Sequence, residues 1–305
     1  MSEADWSAYW RSRGGAGEAF AGEGVEQHPA LKAYWDAVFA GMPEGARVLD
    51  LACGAGSALK RAHAAGLTAL TGADVSAEAL SLLTDAVPSA DAVRCSADAV
   101  PLPDDAFDLV ASQFGFEYAG PGAPPEMARL TAPGGRIAAL IHYAGGAIEA
   151  EVTTNAAAAR AVSDTGFIEA ARSLIEASFA GQGGGTGVET AKQAFRRPER
   201  ALHAIARAAP GGLAAHLHGG FKQLYHRRHA YALGDIIGWL DGMDAELRAY
   251  GGRMATMRAA AKDEAGMAAI ADALRTGGLR EIAYEPLTVD GDDAPLAWSL
   301  TARRA

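Results

Sequence analysis

The chain is short of cysteine, with only Cys53 and Cys95 in 305 residues. Their spacing matches neither a zinc ligand set nor a disulfide framework, so no metal is expected and a reducing compartment, the cytoplasm, is. Long apolar runs are also missing. None approaches the roughly 20 residues that cross a bilayer, and no membrane association is expected. The opening residues, Met1 to Asp5, are acidic and lead into no apolar region, which speaks against an export signal. Basic charge is scarce as well: 27 Lys and Arg face 37 Asp and Glu, a formal net charge of −10. Proteins that grip a phosphate backbone draw much of their affinity from counterion release at a basic surface. A nucleic-acid partner is therefore not expected.

What remains has the balance of a globular chain, with 50% hydrophobic and 21% charged residues. Its length suits one domain carrying a large insertion. Residues 1–45 read as a helical segment, with Trp6, Tyr9 and Trp10 on one face and Leu31, Trp35 and Phe39 at helical spacing. Five apolar runs then read as strands buried on both faces: Arg47–Ala52, Thr68–Ala73, Ala92–Ser96, Phe107–Ser112 and Arg136–His142. Ser57–Ala65, Ser76–Ala86 and Pro125–Leu130 lie between them as crossover helices, with Ser76 placed to cap the second. This alternation predicts an α/β fold with a doubly wound, mostly parallel sheet over residues 46–144. Residues 145–276 lose the strand signal and read as a helical insertion, broken by the glycine tract Gly181–Gly187. Leu279–Pro286 and Leu296–Ala302 read as closing strands of the core, within 277–305.

The chemistry concentrates where the first strand ends. Val48-Leu49-Asp50-Leu51-Ala52-Cys53-Gly54-Ala55-Gly56 places an acid and two glycines at the carboxyl end of a parallel strand, where open α/β sheets bind ligands. Glycine there allows a tight turn and close approach of a ligand. A dinucleotide loop needs a small residue three positions after Gly56, but that position is Leu59. A P-loop ending in Gly-Lys-Ser/Thr is absent.

Several further segments follow in order. Gly72-Ala73-Asp74-Val75-Ser76 ends the second strand, and Ser96-Ala97-Asp98-Ala99-Val100-Pro101-Leu102-Pro103 follows the third. Phe107-Asp108-Leu109-Val110 opens the fourth, and Leu130-Thr131-Ala132-Pro133-Gly134-Gly135-Arg136 leads into the fifth. Together with the glycine loop they resemble the motif series of class I S-adenosylmethionine-dependent methyltransferases, a Rossmann-like fold. The resemblance covers residues 46–142 and the closing strands, and leaves out the N-terminal segment and the insertion.

It implies S-adenosyl-L-methionine as cofactor. Asp74 would accept hydrogen bonds from the ribose hydroxyls, and Asp98 one from the adenine amino group. The Ala99 amide would face an adenine nitrogen, with Val75 packed on the ring. Asp50, Ala52, Gly54 and Gly56 would line the side near the ammonium and sulfonium charges, and Gln113 joins this set. Arg11 or Arg13 would pair with the cofactor carboxylate, the competing reading being solvated arginines. Cys53 reads as a small residue in a tight turn.

The loop after strand four, Ser112 to Tyr118, lacks the Asn-Pro-Pro-aromatic and Pro-Cys signatures of family members that act on nucleic-acid bases. A small-molecule acceptor is expected instead. His142 is the first candidate for a general base, because imidazole changes charge near neutral pH, and Glu117 is the second. The alternative for His142 is a histidine simply hydrogen-bonded at a strand end. In the insertion, Arg196, Arg197, Arg227 and Arg228 read first as a solvated face; a patch receiving an anionic acceptor is the rarer alternative. Two other functions stay open at this point: a non-catalytic cofactor-binding or scaffold protein, and a nicotinamide-dependent oxidoreductase, against which Leu59 speaks.

Overall fold

A computed structural model describes residues 6, 7, 9–11, 28–180, 186–208, 212–289 and 294–305. Arg13 and the glycines of 181–185 lie outside them. Helix α1 (Pro29–Ala40) opens with proline in its first turn and buries Leu31, Trp35 and Phe39, one turn apart. Strand β1 (Val48–Leu51) is buried throughout and turns through the glycine loop into α2 (Ser57–Ala64). Strand β2 (Leu70–Asp74) leads to α3 (Ala77–Ala86), where Ser76 Oγ accepts from the Ala79 amide at 3.2 Å and Glu78 sits in the first turn.

Strand β3 (Asp91–Arg94) departs from expectation. Asp91, Ala92 and Arg94 are exposed, because β3 is the edge of the sheet and lacks a neighbour on one side. Strand β4 (Phe107–Gln113), a short helical turn over Phe116–Gly122, and α4 (Ala123–Leu130) precede β5 (Thr131–Ile141). β5 begins five residues earlier than the sequence suggests. Its pairing with β4 jumps from Phe107↔Thr131 to Leu109↔Arg136, so Ala132–Gly135 bulge out of an otherwise continuous ladder, with Gly134 at φ 74°.

Helices α5 (Ala147–Asp164), α6 (Phe167–Ala180), α7 (Thr186–Ala208), α8 (Leu213–His226) and α9 (Leu233–Ala260) follow, then α10 (Glu264–Thr276). β6 (Leu279–Leu287) and β7 (Ala297–Arg304) close the seven-stranded sheet in the order β3-β2-β1-β4-β5-β7-β6. β1 to β5 run parallel. β7 pairs antiparallel with both β5 and β6.

Two compact units result, residues 1–150 with 256–305, and residues 151–255. The boundaries expected at 144 and 276 therefore move. Asp263 caps α10 by accepting from the Gly266 amide at 2.8 Å, and Met267, Ile270 and Leu274 belong to the core that includes Leu49, Val110 and Ile137. That helix is part of the sheet-bearing unit, although its residues read as insertion. The second unit has its own core, in which Phe167, Phe195 and Phe221 meet with ring centroids 5.2–5.5 Å apart. Each such aromatic burial removes apolar surface worth about 25 cal/mol per Å².

Candidate active site

The sheet reverses its winding between β1 and β4, and the crevice beyond their carboxyl ends is where a ligand fits. The backbone there is unusual. Ala52 (φ 56°), Gly54 (52°) and Gly56 (78°) follow β1 in left-handed conformations, and Phe114 (51°) follows β4 in the same way. For a non-glycine residue that conformation costs about 1–2 kcal/mol. Two such residues at neighbouring strand ends mark an imposed shape. Ser112, fully buried, stitches the two ends together: its hydroxyl donates to Leu51 O at 2.7 Å and accepts from the Phe116 amide at 3.2 Å. Sequence reasoning passed over Ser112. A hydroxyl in an otherwise apolar strand end was the available signal.

On the β1–β2 side stand two buried carboxylates. Asp74, 8% exposed, accepts from the Gly54 amide through Oδ2 (2.8 Å) and from the Ser76 amide through Oδ1 (2.9 Å). It thus fixes the glycine loop against β2, while each oxygen keeps a second lone pair for another donor. Asp50 is 1% exposed, and its Oδ1 has no hydrogen-bond partner among the described residues. Burial, and secondarily the charge of Asp74, pushes the Asp50 carboxyl well above its ordinary range. Burial also raises Asp74, against the lowering effect of its backbone hydrogen bonds. A buried acid pair with an unsatisfied oxygen suits a cationic ligand with hydroxyl donors, as S-adenosylmethionine is. Cys53 beside them is a neutral thiol, its ionisation pushed up first by burial and then by Asp74 and Asp50. That agrees with a spacer and not a nucleophile.

The remaining expected residues lie at or beyond the ends of β2, β3 and β4. The Ala99 amide donates to Ser96 O at 3.1 Å, closing a turn. Asp98 is exposed and accepts from Ser96 Oγ at 2.5 Å. Gly122 packs against it, where a Cβ would stand 2.9 Å from Asp98 Cβ. Val75 is half-buried. Gln113 Oε1 accepts from Trp35 Nε1 at 2.5 Å, joining β4 to α1.

Arg11 has a partner inside the chain: its side chain is 69% exposed and pairs with Glu78 at 2.6 Å. Hydrogen bonding from Ser7, and then from Arg11, holds Glu78 down at about 2. The same segment lays Trp10 on the glycine loop: a Cβ on Gly54 would lie 2.5 Å from the indole.

On the β4–β5 side the structure joins the two candidates that the sequence weighed separately. Glu117 Oε1 lies 2.7 Å from His142 Nδ1 and also accepts from the His142 amide at 3.2 Å. Both residues are buried, at 4% and 2% exposure. Phe114 covers the imidazole with centroids 4.5 Å apart, and Tyr118 meets it edge-on at 5.6 Å. Tyr118 in turn meets Trp6 at 5.2 Å, Trp6 meets Tyr9 at 6.1 Å, and Tyr9 meets Trp10 at 5.0 Å. An unbroken run of rings therefore links the glycine loop to the histidine. Burial, followed by the charge of Glu117, raises the Tyr118 phenol well above its usual value. Among the described residues no three His, Cys, Asp or Glu side chains gather as a metal site, and no helix is long and apolar enough to cross a membrane.

Residues 49–139 match a family model described as a methyltransferase domain. Among solved structures, the chain is similar to an S-adenosylmethionine-dependent methyltransferase from Mesorhizobium loti, at 31% identity over 36% of this chain and 53% of that one, with TM-score 0.32. The YcgJ protein of Bacillus subtilis matches at 24% identity over 39% and 52%, with TM-score 0.35. A possible exported protein of Bordetella parapertussis matches at 13% identity over 98% and 79%, with TM-score 0.47. These scores lie below 0.5, so the assignment rests on the matched segment and its motifs. The chain spans about half the length of the first two structures. No curated protein matches it. The segment from β1 to β5 is a class I methyltransferase domain of the S-adenosylmethionine-dependent family.

Proposed function

We propose that the protein moves a methyl group from S-adenosyl-L-methionine to a small-molecule acceptor, with His142 taking the acceptor's proton and Glu117 holding His142. The observation that carries this is the buried Glu117–His142 pair at the ends of β4 and β5, beside the acid-lined glycine loop. Asp50 and Asp74 would hold the cofactor, which when bound supplies a methyl group on a positively charged sulfur. By accepting from Nδ1–H, Glu117 fixes the tautomer and turns the imidazole lone pair to Nε2. Glu117 also stabilises the imidazolium formed when the proton arrives. Phe114 and Tyr118 keep water from the ring, so the acceptor reaches Nε2 when this aromatic cover opens. Exclusion of water and alignment supply most of the acceleration in such an in-line displacement.

The test has two parts. Calorimetry with S-adenosylmethionine should show binding by the wild type and its loss in Asp74→Ala. Labelled-methyl transfer to fractionated metabolites should then identify an acceptor, and His142→Gln should retain cofactor binding while losing turnover. Cofactor affinity unchanged by Asp74→Ala would overturn the binding assignment. A His142→Gln enzyme with wild-type turnover and pH profile would remove the base.

A further inference from the structure

Charge in this chain is unevenly distributed. Residues 186–229 hold eight arginines and lysines against two glutamates, a net +6, while the other 261 residues carry −16. Within that segment α7 holds five of the eight basic residues and both glutamates, and it lines most of the basic ones up. At 100° per residue, Lys192, Arg196, Arg200, His203 and Arg207 fall within an arc of about 80° and extend over about 22 Å. All five are exposed, whereas Leu202 and Ala206, which flank the stripe on the Lys192 side, are buried in the helical unit's core. Lys192 meets Glu189 at 3.8 Å. Arg196, Arg200, Arg207 and the neighbouring Arg197 have no carboxylate partner among the described residues, and Arg200 spends only its Nε, on Arg196 O at 3.2 Å. Elsewhere arginine is generally paired, as at Arg47–Asp108, Arg61–Asp36, Arg129–Glu126 and Arg172–Asp241. Like charges four residues apart oppose the helix that carries them. A partner of opposite charge reverses that sign.

We propose that this stripe docks an acidic protein helix whose carboxylates recur at one-turn spacing along one face. Guanidinium forks match carboxylates in pairs, and the repeat of four residues on α7 equals the repeat on such a partner. Two observations favour it over a nucleic-acid strand. The stripe has no Phe, Tyr or Trp for base stacking, and Tyr231 is the one exposed large hydrophobic side chain among the described residues. The stripe ends after about four turns, as a helix of matching length does and a phosphate backbone does not.

The experiment uses the full chain and three probes: a helical peptide with glutamates aligned at i, i+4, a peptide of the same composition with them dispersed, and an oligouridine of about 15 nucleotides. Anisotropy titrations at about 50 mM salt should give the aligned peptide at least tenfold tighter binding than the dispersed one. R196E/R200E/R207E should remove that preference, and the charge control R248E, on α9, should keep it; circular dichroism confirms that both fold. Equal affinity for the two peptides, or a preference that survives in the triple variant, overturns the proposal. Tighter binding of oligouridine than of the aligned peptide, falling steeply with salt, assigns the stripe to nucleic acid and overturns it equally.

Discussion

The two sides of the crevice bury acids in opposite ways. On the β1–β2 side burial raises both Asp50 and Asp74, the charge of Asp74 raises Asp50 further, and Asp50 Oδ1 has no donor among the described residues. On the β4–β5 side Glu117 is equally buried, but its Oε1 receives an imidazole and a backbone amide. An isolated buried anion costs several kcal/mol unless it is neutralised or paired. Each side keeps one buried carboxylate oxygen without a partner among the described residues, Asp50 Oδ1 on the first and Glu117 Oε2 on the second; the difference is the imidazole that Glu117 already holds and that neither Asp50 nor Asp74 has. The lesson is a division of labour: one side is built to bind charge and the other to hold a proton acceptor in place.

The strongest way to break this comparison is His142→Gln. It should lower kcat by about 10²–10⁴, the usual range for a general base, with cofactor affinity unchanged in calorimetry. Next, Asp74→Ala should weaken cofactor binding about a hundredfold, because charge-assisted hydrogen bonds and the anchor of the glycine loop are lost together. Gly54→Ala should follow, costing about 1–2 kcal/mol of stability from its left-handed backbone, plus displacement of Trp10. Thermal melts of Gly54→Ala, Trp10→Ala and the double variant should be less than additive if the indole and the glycine oppose each other directly.

A pH series sharpens the contrast. The folded carboxyls of Asp50 and Asp74 are raised, so between the ordinary carboxylate range and their raised values the folded state keeps protons that the unfolded chain has lost. Their contribution to stability therefore falls as pH rises through that window. Melting curves without cofactor should show the decline, and Asp50→Asn should flatten it. The smallest effect is expected from Arg11→Ala: its exposed pair with Glu78 is solvent-screened, so cofactor affinity should change less than about twofold.

The order of elements was legible because buried strands alternate with capped helices, and Ser76 and Gly66 mark helix ends by chemistry that the chain cannot easily fake. Edge position was not legible. Ala92 is apolar yet exposed, and only the absence of a neighbour on one side of β3 explains it. Asp74 could be found from its place at a strand end. The Glu117–His142 pair could not, since 25 residues separate the two and only the parallel pairing of β4 with β5 brings them together. The partner of Arg11 was hidden for a related reason. A basic residue near a cofactor site satisfies whichever anion is nearer, and Glu78 is already there. The turn that engages the Ala99 amide leaves no mark in the residue types.

The run of rings from Trp10 to His142 also has a practical consequence. Tryptophans seated on the glycine loop and beside Tyr118 make the native chain its own optical reporter: quenching or release of their emission would register the arrival of a ligand without any label.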